Sequence, residues 1–498
     1  MKISIAVLLS IVLAVQTGCY GPIKVHRIGT AQIAHPEKEQ IVGVTTLKGE
    51  DVVFDPRTGY AKDRVVRAQV QNAAWQMPLS EIQTIWVERR GLKKVATIGL
   101  TAGLVVGGLA LVTIILVAVK GSCPFVYSWD GTQYVFDAEP YGGAITRGLE
   151  RDDFAELEHL RERDGAYRLL LTNEVDETQF TNLMELWVVD HPTGTRVASD
   201  QRGTLYTLAD PQPPVAARDS LGRDLLPWLV KKDRLIWEPP AEPDSNGNLR
   251  QDIVLTFPKP EGAARAKLEV NVATGLWGSY VVKQMVQLRG RDIGEWYRQI
   301  DESQAARDEL HARHLREELF LLKVYVEEPS GWVERGVVPA GGPVLAPNRI
   351  VPLDVSGVRG GELRIRIRPP AGCWALNSFA VDYGGERDFS VARIAPSSAQ
   401  DQGGENVLPE LLAGDDRYCA MPSIGDRAYL SFPAPPRRTG ATRTVFLHSR
   451  GYYRLHLRED EAPDTAALKR LRDEPGSGAA FSAERYARWK EQSASPRR

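Results

Sequence analysis

Short runs in which apolar and polar residues alternate recur along this chain, and a period of two marks strands with one buried face. Five such runs follow one another at 41–44, 52–54, 65–70, 74–77 and 82–87, the first two separated by the turn Lys48-Gly49-Glu50. Short strands joined by tight turns predict a small β-barrel-like domain over 20–92, of the SH3 or Sm kind. It carries no basic loop, so a structural or docking role is the expectation.

The β pattern resumes at Ser122 and runs to about Gly290. Prolines at 211, 213, 214, 239 and 240 cut it into short pieces, which suits a sandwich better than a parallel sheet. Leu186-Trp187-Val188-Val189 and Ile253-Val254-Leu255 read as buried strands. Over 291–318 the period changes to that of a charged helix, with Ile293, Trp296, Ile300, Leu310 and Leu315 broadly on one side. A second β block follows over 319–456, with strand candidates at 321–326, 350–353, 363–367 and 379–383 and turns such as Gly341-Gly342-Pro343. The predicted fold is therefore mainly β: a small barrel-like domain, one apolar helix, and two sandwich-like blocks at 121–290 and 319–456 joined by a charged helix. Residues 457–498, charged and ending in Ser and Pro, read as a flexible tail with at most a short helix.

Two apolar stretches break the alternation. Lys2 followed by the run 3–15 is too short to span a bilayer and reads as a signal peptide over 1–18. It ends in Gln16-Thr17-Gly18-Cys19, which resembles a bacterial lipobox, and that resemblance implies lipidation of Cys19. Gln16 departs from the pattern, which prefers an aliphatic residue there, so a cleaved, unlipidated signal stays open. The second stretch, 95–119, holds no charged residue and as a helix would extend about 37 Å, enough to cross a membrane. Gly99, Gly103 and Gly107 lie on one face of it, where small residues admit a second helix, so helix-mediated self-association is expected. Arg89, Arg90, Lys93 and Lys94 precede this segment and only Lys120 follows it, a bias that conflicts with a translocated N-terminus. The expected resolution is an envelope location, with the soluble region outside the cytoplasm.

Composition narrows the function. Lys and Arg number 62 against 64 Asp and Glu, so there is no basic footprint and no nucleic-acid partner is expected. The cysteines are Cys19, Cys123, Cys373 and Cys419, with no C-x-x-C pair, so zinc-ribbon and thioredoxin chemistry lack support. Cys373 and Cys419 both fall in the last β block, where they would form a disulfide in an oxidising compartment or stay as buried thiols.

Candidate chemistry is sparse. Asp130, Asp137 and Glu139 lie close together and would suit glycoside hydrolysis if two carboxylates converged. Trp129-Asp130-Gly131 also has the form of a hairpin turn, which makes Asp130 structural. Asp244-Ser245-Asn246-Gly247-Asn248 with Asp252 offers oxygen ligands, but the glycine and terminal glutamate of a calcium loop are misplaced. His311 and His314 share a helix face, yet Arg313 and Arg316 beside them disfavour a metal. No G-x-S-x-G, P-loop or H-E-x-x-H motif occurs, and neither a cofactor nor a catalytic residue is assigned. The candidate binding surface comprises Trp129, Asp130, Trp332 and Trp374, aromatics near strand ends with the adjoining turn carboxylate.

The string Cys123-Pro124-Phe125-Val126-Tyr127-Ser128-Trp129-Asp130-Gly131 is followed by Tyr134-Val135-Phe136-Asp137-Ala138-Glu139-Pro140 and Gly142-Gly143-Ala144. With Asn173-Glu174, 187–192 and the closing 446–453, it resembles a group of bacterial envelope, lipoprotein-like proteins over most of 120–456. The group brings no established activity, so the resemblance implies bacterial origin and a β-rich architecture alone. The expected function is a non-catalytic, membrane-anchored envelope protein whose β domains bind a partner protein or a glycan. The alternative is an enzyme acting on envelope polysaccharide through carboxylates around Asp130 and Glu139. Mass spectrometry of the mature N-terminus should find a lipidated Cys19; an unmodified N-terminus at any other residue contradicts it.

Overall fold

Alternation becomes burial wherever two sheets share a core. In the structure, a computed structural model, residues 24–30, 36–54, 58–70, 73–89, 124–233, 235–244 and 246–494 are described. The signal at 1–18, Cys19 and the apolar segment 95–119 with Gly99, Gly103 and Gly107 lie outside the described residues. Among the described residues, no helix is long and apolar enough to cross a membrane. The chain forms two compact units, 1–119 with 233–236 and 120–232 with 237–498. It is mainly β, 43% strand against 19% helix, which matches the period-two pattern.

In the small unit, Lys24–Gly29, Ile82–Arg89, Gln40–Thr46 and Asp51–Val53 form one antiparallel sheet, in that order. Tyr60–Lys62, Val65–Val70 and Ala73–Pro78 form a second, three-stranded one. Val66 and Ala68 point inward from alternate positions and share a core with Ile41, Val44, Phe54, Ile85 and Val87. The sheets do not close into an SH3- or Sm-like barrel. Two strands beyond the expected five occur: Lys24–Gly29, whose Val25 and Ile28 break the alternation, and the three-residue Tyr60–Lys62. The latter turns into Val65–Val70 through Asp63 and Arg64, both left-handed at φ 51° and 59°, as a two-residue primed turn requires.

The large unit opens with a sandwich. Its first sheet runs Arg151–Glu156, Ala441–Leu455, Glu177–Pro192, Ser390–Ile394, with Cys419–Met421 also on Glu177–Pro192. The second runs Ser398–Asp401, Arg427–Pro433, Ala166–Thr172, Phe125–Trp129, Tyr134–Ala138. Leu169, Leu171, Leu430 and Phe432 from one sheet meet Met184, Leu186, Val188 and Leu447 from the other in a single core. Between residues 192 and 390 the chain leaves to build further sheets: Ala216–Asp219, Ile253–Pro258, Glu362–Ile367, Leu321–Glu328, Gly331–Pro339 in one, and Asn348–Asp354, Arg265–Ala273, Ala375–Asp382 in another. The linear blocks 121–290 and 319–456 are therefore not what pairs. Arg265–Ala273 joins Asn348–Asp354 and Ala375–Asp382, and Glu177–Pro192 joins Ala441–Leu455, across the expected division. Periodicity locates strands but does not say which strand accepts their hydrogen bonds.

Helices fill the remaining space and depart further from expectation. Helix α1, Gly275–Gln287, lies where β structure was expected; it buries Trp277, Val281 and Val286. The expected single helix over 291–318 is two, α2 (Ile293–Glu302) and α3 (Gln304–Glu317), broken at Ser303. Ser303 is extended and its Oγ accepts the Ala306 N–H at 3.2 Å, an N-cap that starts α3 afresh. The tail is ordered as well. Asp464 caps α4 (Thr465–Asp473), and α5 (Ser477–Ala494) buries Ala479, Phe481, Ala483 and Tyr486. Tyr486 lies 5.6 Å from the Trp277 ring, and Trp277 Nε1 donates to Ser482 Oγ at 2.8 Å.

No disulfide joins Cys373 and Cys419. Both are free and buried, Cys373 with its thiol 3.1 Å from Ser482 Oγ, Cys419 in the first sandwich core. Burial pushes each thiol up to about 12, so neither is reactive at neutral pH.

A docked tail has a measurable consequence. Tyr486→Ala should destabilise the large unit by about 3–5 kcal/mol, the range for emptying a buried aromatic site, in chemical denaturation. A loss within about 0.5 kcal/mol, as for an exposed residue, contradicts the docking.

Candidate functional site

Asp130 sits in the turn between Phe125–Trp129 and Tyr134–Ala138. Its Oδ1 accepts the Thr132 N–H (2.7 Å), the Thr132 hydroxyl (2.8 Å) and the Gln133 N–H (2.8 Å), while Gly131 takes φ 102°. Those hydrogen bonds, the one from Gln133 foremost, hold its carboxyl below the usual range, the opposite of a general acid. Asp137 binds the His159 ring Nδ1 (2.8 Å) and backbone N–H (3.0 Å), and this contact raises the imidazole above its ordinary value. Glu139 accepts the N–H groups of Val344 (2.8 Å) and Leu345 (2.7 Å) and so ties the first sandwich to the loop after Gly331–Pro339. Each of the three carboxylates holds a different piece of backbone or a histidine.

Of the candidate surface aromatics, Trp374 is fully buried, at 0% exposure, and belongs to the core: a strand-end position does not distinguish inward from outward. Trp129 is half-buried, edge-on to Tyr134 at 5.1 Å. Trp332 is half-buried under two guanidiniums, Arg366 at 4.8 Å and Arg364 at 5.8 Å, so its face is already occupied by cations. Asp244 accepts the Asn246 and Asn248 N–H groups, both at 2.8 Å, and Asp252 pairs with Arg366 and Arg368, which leaves no calcium cage. Among the described residues, no three His, Cys, Asp or Glu side chains gather as metal ligands.

The geometry singles out instead a cavity of about 280 Å³ inside the large unit. Three helices present one stripe each to it. Ser279, Val282, Val286 and Arg289 come from α1 and its end, Leu310, Arg313, His314 and Glu317 from α3, and Leu468 and Leu471 from α4. Spacings of three and four put each set on a single helix face. The fourth wall is the turn Gly142–Ile145 of the first sandwich with Ala340 and Gly341. Gly142 is needed there, because a Cβ would stand 2.6 Å from the Gly341 carbonyl oxygen. The Thr274 hydroxyl both donates to that oxygen (2.8 Å) and accepts the Gly341 N–H (3.0 Å), which fixes the loop at the start of α1.

The lining is apolar except for a cationic end. The Arg289 guanidinium lies 4.1 Å over the Trp296 ring, and Nη1 donates to the Met285 carbonyl at 3.0 Å. Burial first, then the neighbouring Arg313, lowers it to about 10. Burial likewise lowers Arg313, whose buried Nε has no hydrogen-bond partner among the described residues. Burial and the Arg313 charge bring His314 down to about 4, so its ring is neutral and packs edge-on to Phe320 at 5.5 Å. The one acid in the lining, Glu317, is engaged by Arg316 Nε (2.8 Å) and by the N–H groups of Gly476 (3.2 Å) and Gly478 (3.1 Å). The positive charge of Arg313 and Arg316 beside His311 and His314 is visible in the sequence and speaks against a metal. The signal that points to the cavity is Arg289 and Arg313 standing in apolar helix stripes.

A second, more polar cleft of about 550 Å³ is lined by Glu156, Glu158, Arg196, Lys232, Glu269 and Asn348. Glu158 is ion-paired with Lys232 and Glu269 with Arg196. Glu156 accepts only a long 3.4 Å bond from Asn348, and burial, with the Glu158 charge next, raises it to about 7.

No family model and no curated protein matches the chain. Solved structures it is similar to include a β-porphyranase of glycoside hydrolase family 86 from Bacteroides plebeius (9% identity, TM-score 0.17, 46% of this chain and 36% of that one). A rhamnosidase from Novosphingobium sp. PP1Y is similar at 11% identity and TM-score 0.20, over 73% of this chain and 28% of that one. The cycloalternan-forming enzyme of Listeria monocytogenes is similar at 10% identity and TM-score 0.17, over 67% and 29%. The chain thus spans about a third of each of them, and likenesses this slight carry no argument about its activity.

The raised Glu156 carboxyl has a signed pH dependence. Its folded value of about 7 lies above the unfolded ~4.3, so the folded state holds more protons between them and stability falls as pH rises through that window. Glu156→Gln should flatten that part of the profile in denaturation measured from pH 4 to 8; an unchanged slope contradicts the burial.

Proposed function

We propose that this chain is a membrane-tethered protein of the bacterial cell envelope that binds a ligand without transforming it. One observation carries the reading: the partly open cavity of the large unit, apolar on most sides and cationic at one end. Concave, mostly apolar spaces with a few convergent polar groups are where small ligands sit. Its lining does not support catalysis, because Glu317 is taken up by Arg316 and two backbone N–H groups, and His314 is a neutral ring against Phe320. The tether rests on Cys19 and the apolar segment 95–119, and with them the location, the soluble region lying outside the cytoplasm. An envelope protein or glycan would meet the large unit at a half-buried outer aromatic such as Trp129.

A second reading has one specific observation in its favour. A carboxyl held near 7 in a polar cleft beside other carboxylates has the character of a glycosidase acid, so Glu156 replaces Asp130–Glu139 as the group an envelope-polysaccharide enzyme would use. Against it, Glu158 and Glu269 already hold cations.

Incubating the full-length chain with purified sacculi and soluble envelope polysaccharides separates the two. The binding reading expects no new reducing ends. Release that disappears in Glu156→Gln but persists in Asp130→Asn would establish the enzyme instead.

A further inference from the structure

Two arginines face the same apolar cavity, and neither guanidinium forms an ion pair among the described residues. Arg289 is spread over the Trp296 ring and spends one N–H on a carbonyl of its own helix. Arg313 leaves Nε buried with no acceptor. The Arg313 charge in turn disfavours that of Arg289. Both side chains are partly buried, and a cation drawn out of water without an ion-pair partner is costly, so an arrangement of this kind favours an anion beside it. No acid of the lining does so, since Glu317 is bound to Arg316 and to the start of α5. The third lining arginine, Arg151, is already committed to the Ala340 carbonyl (3.0 Å) and Asp153 (3.4 Å). The Glu309 and Glu317 charges favour the Arg313 cation from its own helix without ion-pairing to it, and no carboxylate among the described residues acts on Arg289, which leaves that end of the cavity open to an anion from outside the chain.

The remaining walls describe what the anion is attached to. Val282, Val286, Leu310, Leu468 and Leu471 offer hydrocarbon and no hydrogen-bond donor. A volume of about 280 Å³ exceeds the roughly 150 Å³ cavity that takes a benzene, and falls just under the usual range for drug-sized ligands of about 300–1,000 Å³. That suits one alkyl chain and excludes a two-chain lipid buried whole. A sugar is a poor fit, because its hydroxyls would go unsatisfied against leucine and valine.

We infer that the cavity binds a single-chain amphiphile, its carboxylate or phosphate head held between Arg289 and Arg313 and its alkyl chain buried among α1, α3 and α4. This rests on the binding reading above and gives it a ligand class. Guanidinium forks match both head groups, so the shared chemistry is an anion on a hydrocarbon chain. A fatty acid and a lysophospholipid-type phosphate are its two sources. The α4–α5 tail supplies Leu468, Leu471 and Gly478 to the lining.

The test uses the full-length chain in nanodiscs and laurate carrying a diazirine at its chain end. After irradiation, cross-linked residues are mapped by mass spectrometry. Labelling should fall on the cavity stripes of α1, α3 or α4. Dodecyl phosphate and unlabelled laurate should compete, the stronger of them identifying the source of the head group. Dodecyl maltoside and dodecyltrimethylammonium should compete at least about 10-fold less well, and inorganic phosphate alone not at all. Arg313→Met should weaken labelling about 10- to 100-fold, the scale of one charge-assisted hydrogen bond, and Arg313→Lys should recover part of it. Circular dichroism that matches wild type shows the variant folded. Labelling of the cavity that persists in folded Arg313→Met and is competed equally by dodecyl maltoside overturns the head-group assignment while leaving a binding cavity. Absence of any label on the cavity stripes overturns the binding reading as well.

Discussion

The large unit depends on a single antiparallel pairing between strands far apart in the chain. Glu177–Pro192 and Ala441–Leu455 run together from Glu177 opposite Leu455 to Pro192 opposite Ala441, with one irregularity between Thr181 and Leu183. The chain between residues 192 and 390 leaves and returns within that clamp, and Ser390–Ile394 rejoins the first sheet on Glu177–Pro192, so the ladder closes a very long loop whose entropy the two sheets of the first sandwich must offset. The side chains along it do so by burial: Met184, Leu186 and Val188 face Leu447 and the opposing sheet. Because the side-chain period is two, a slip of one residue would send this set to the wrong face, which fixes the register. The excursion can then carry sheets, helices and a cavity without loosening its own ends.

The same closure explains where the cavity lies. Tyr453 stands near the end of the returning strand, and its hydroxyl accepts the Gly143 N–H at 3.0 Å. That contact, with Gly142 against Gly341, brings the first sandwich to the helices of the excursion. Three helices with apolar stripes meet there, and their stripes face a space instead of each other. Packed interiors leave few voids larger than a water molecule. A cavity of this size, lined by two arginines that form no ion pair among the described residues, departs from that norm in both volume and charge, and departures of this kind gather at functional sites.

Fold class was legible in the sequence because alternation is a local property. Runs such as 65–70 and 82–87 declare a buried face without reference to any partner. Partner choice is not local, and so the pairing of Arg265–Ala273 with Ala375–Asp382 could not be read. Helix α1 was hidden by composition: Trp277, Tyr280, Val281 and Val282 favour strands, and tertiary burial of Trp277 overrides them. The tail misled in the other direction, since its charges mask the small set Ala479, Phe481, Ala483 and Tyr486 that docks it. Asp130 was legible as a turn residue from Asp-Gly alone, whereas the assignment of Trp374 to a surface failed because its neighbours were unknown. Of the candidate site, His311, His314 and Arg313 were noticed, but their relation to Arg289 and to α4 exists only in three dimensions.

The central claim is that the cationic cavity is built for an anion it does not itself contain. It is tested most directly by thermal unfolding of the full-length chain and of Arg313→Met, each with and without laurate below its micelle concentration. Removing a partly buried charge that forms no ion pair among the described residues should make the variant the more stable protein without ligand. Ligand that binds only the folded state should reverse the order, raising wild type by about 2.7 kcal/mol at a hundredfold excess over its dissociation constant and the variant far less. Equal shifts in both proteins, or a variant less stable than wild type without ligand, would contradict the account.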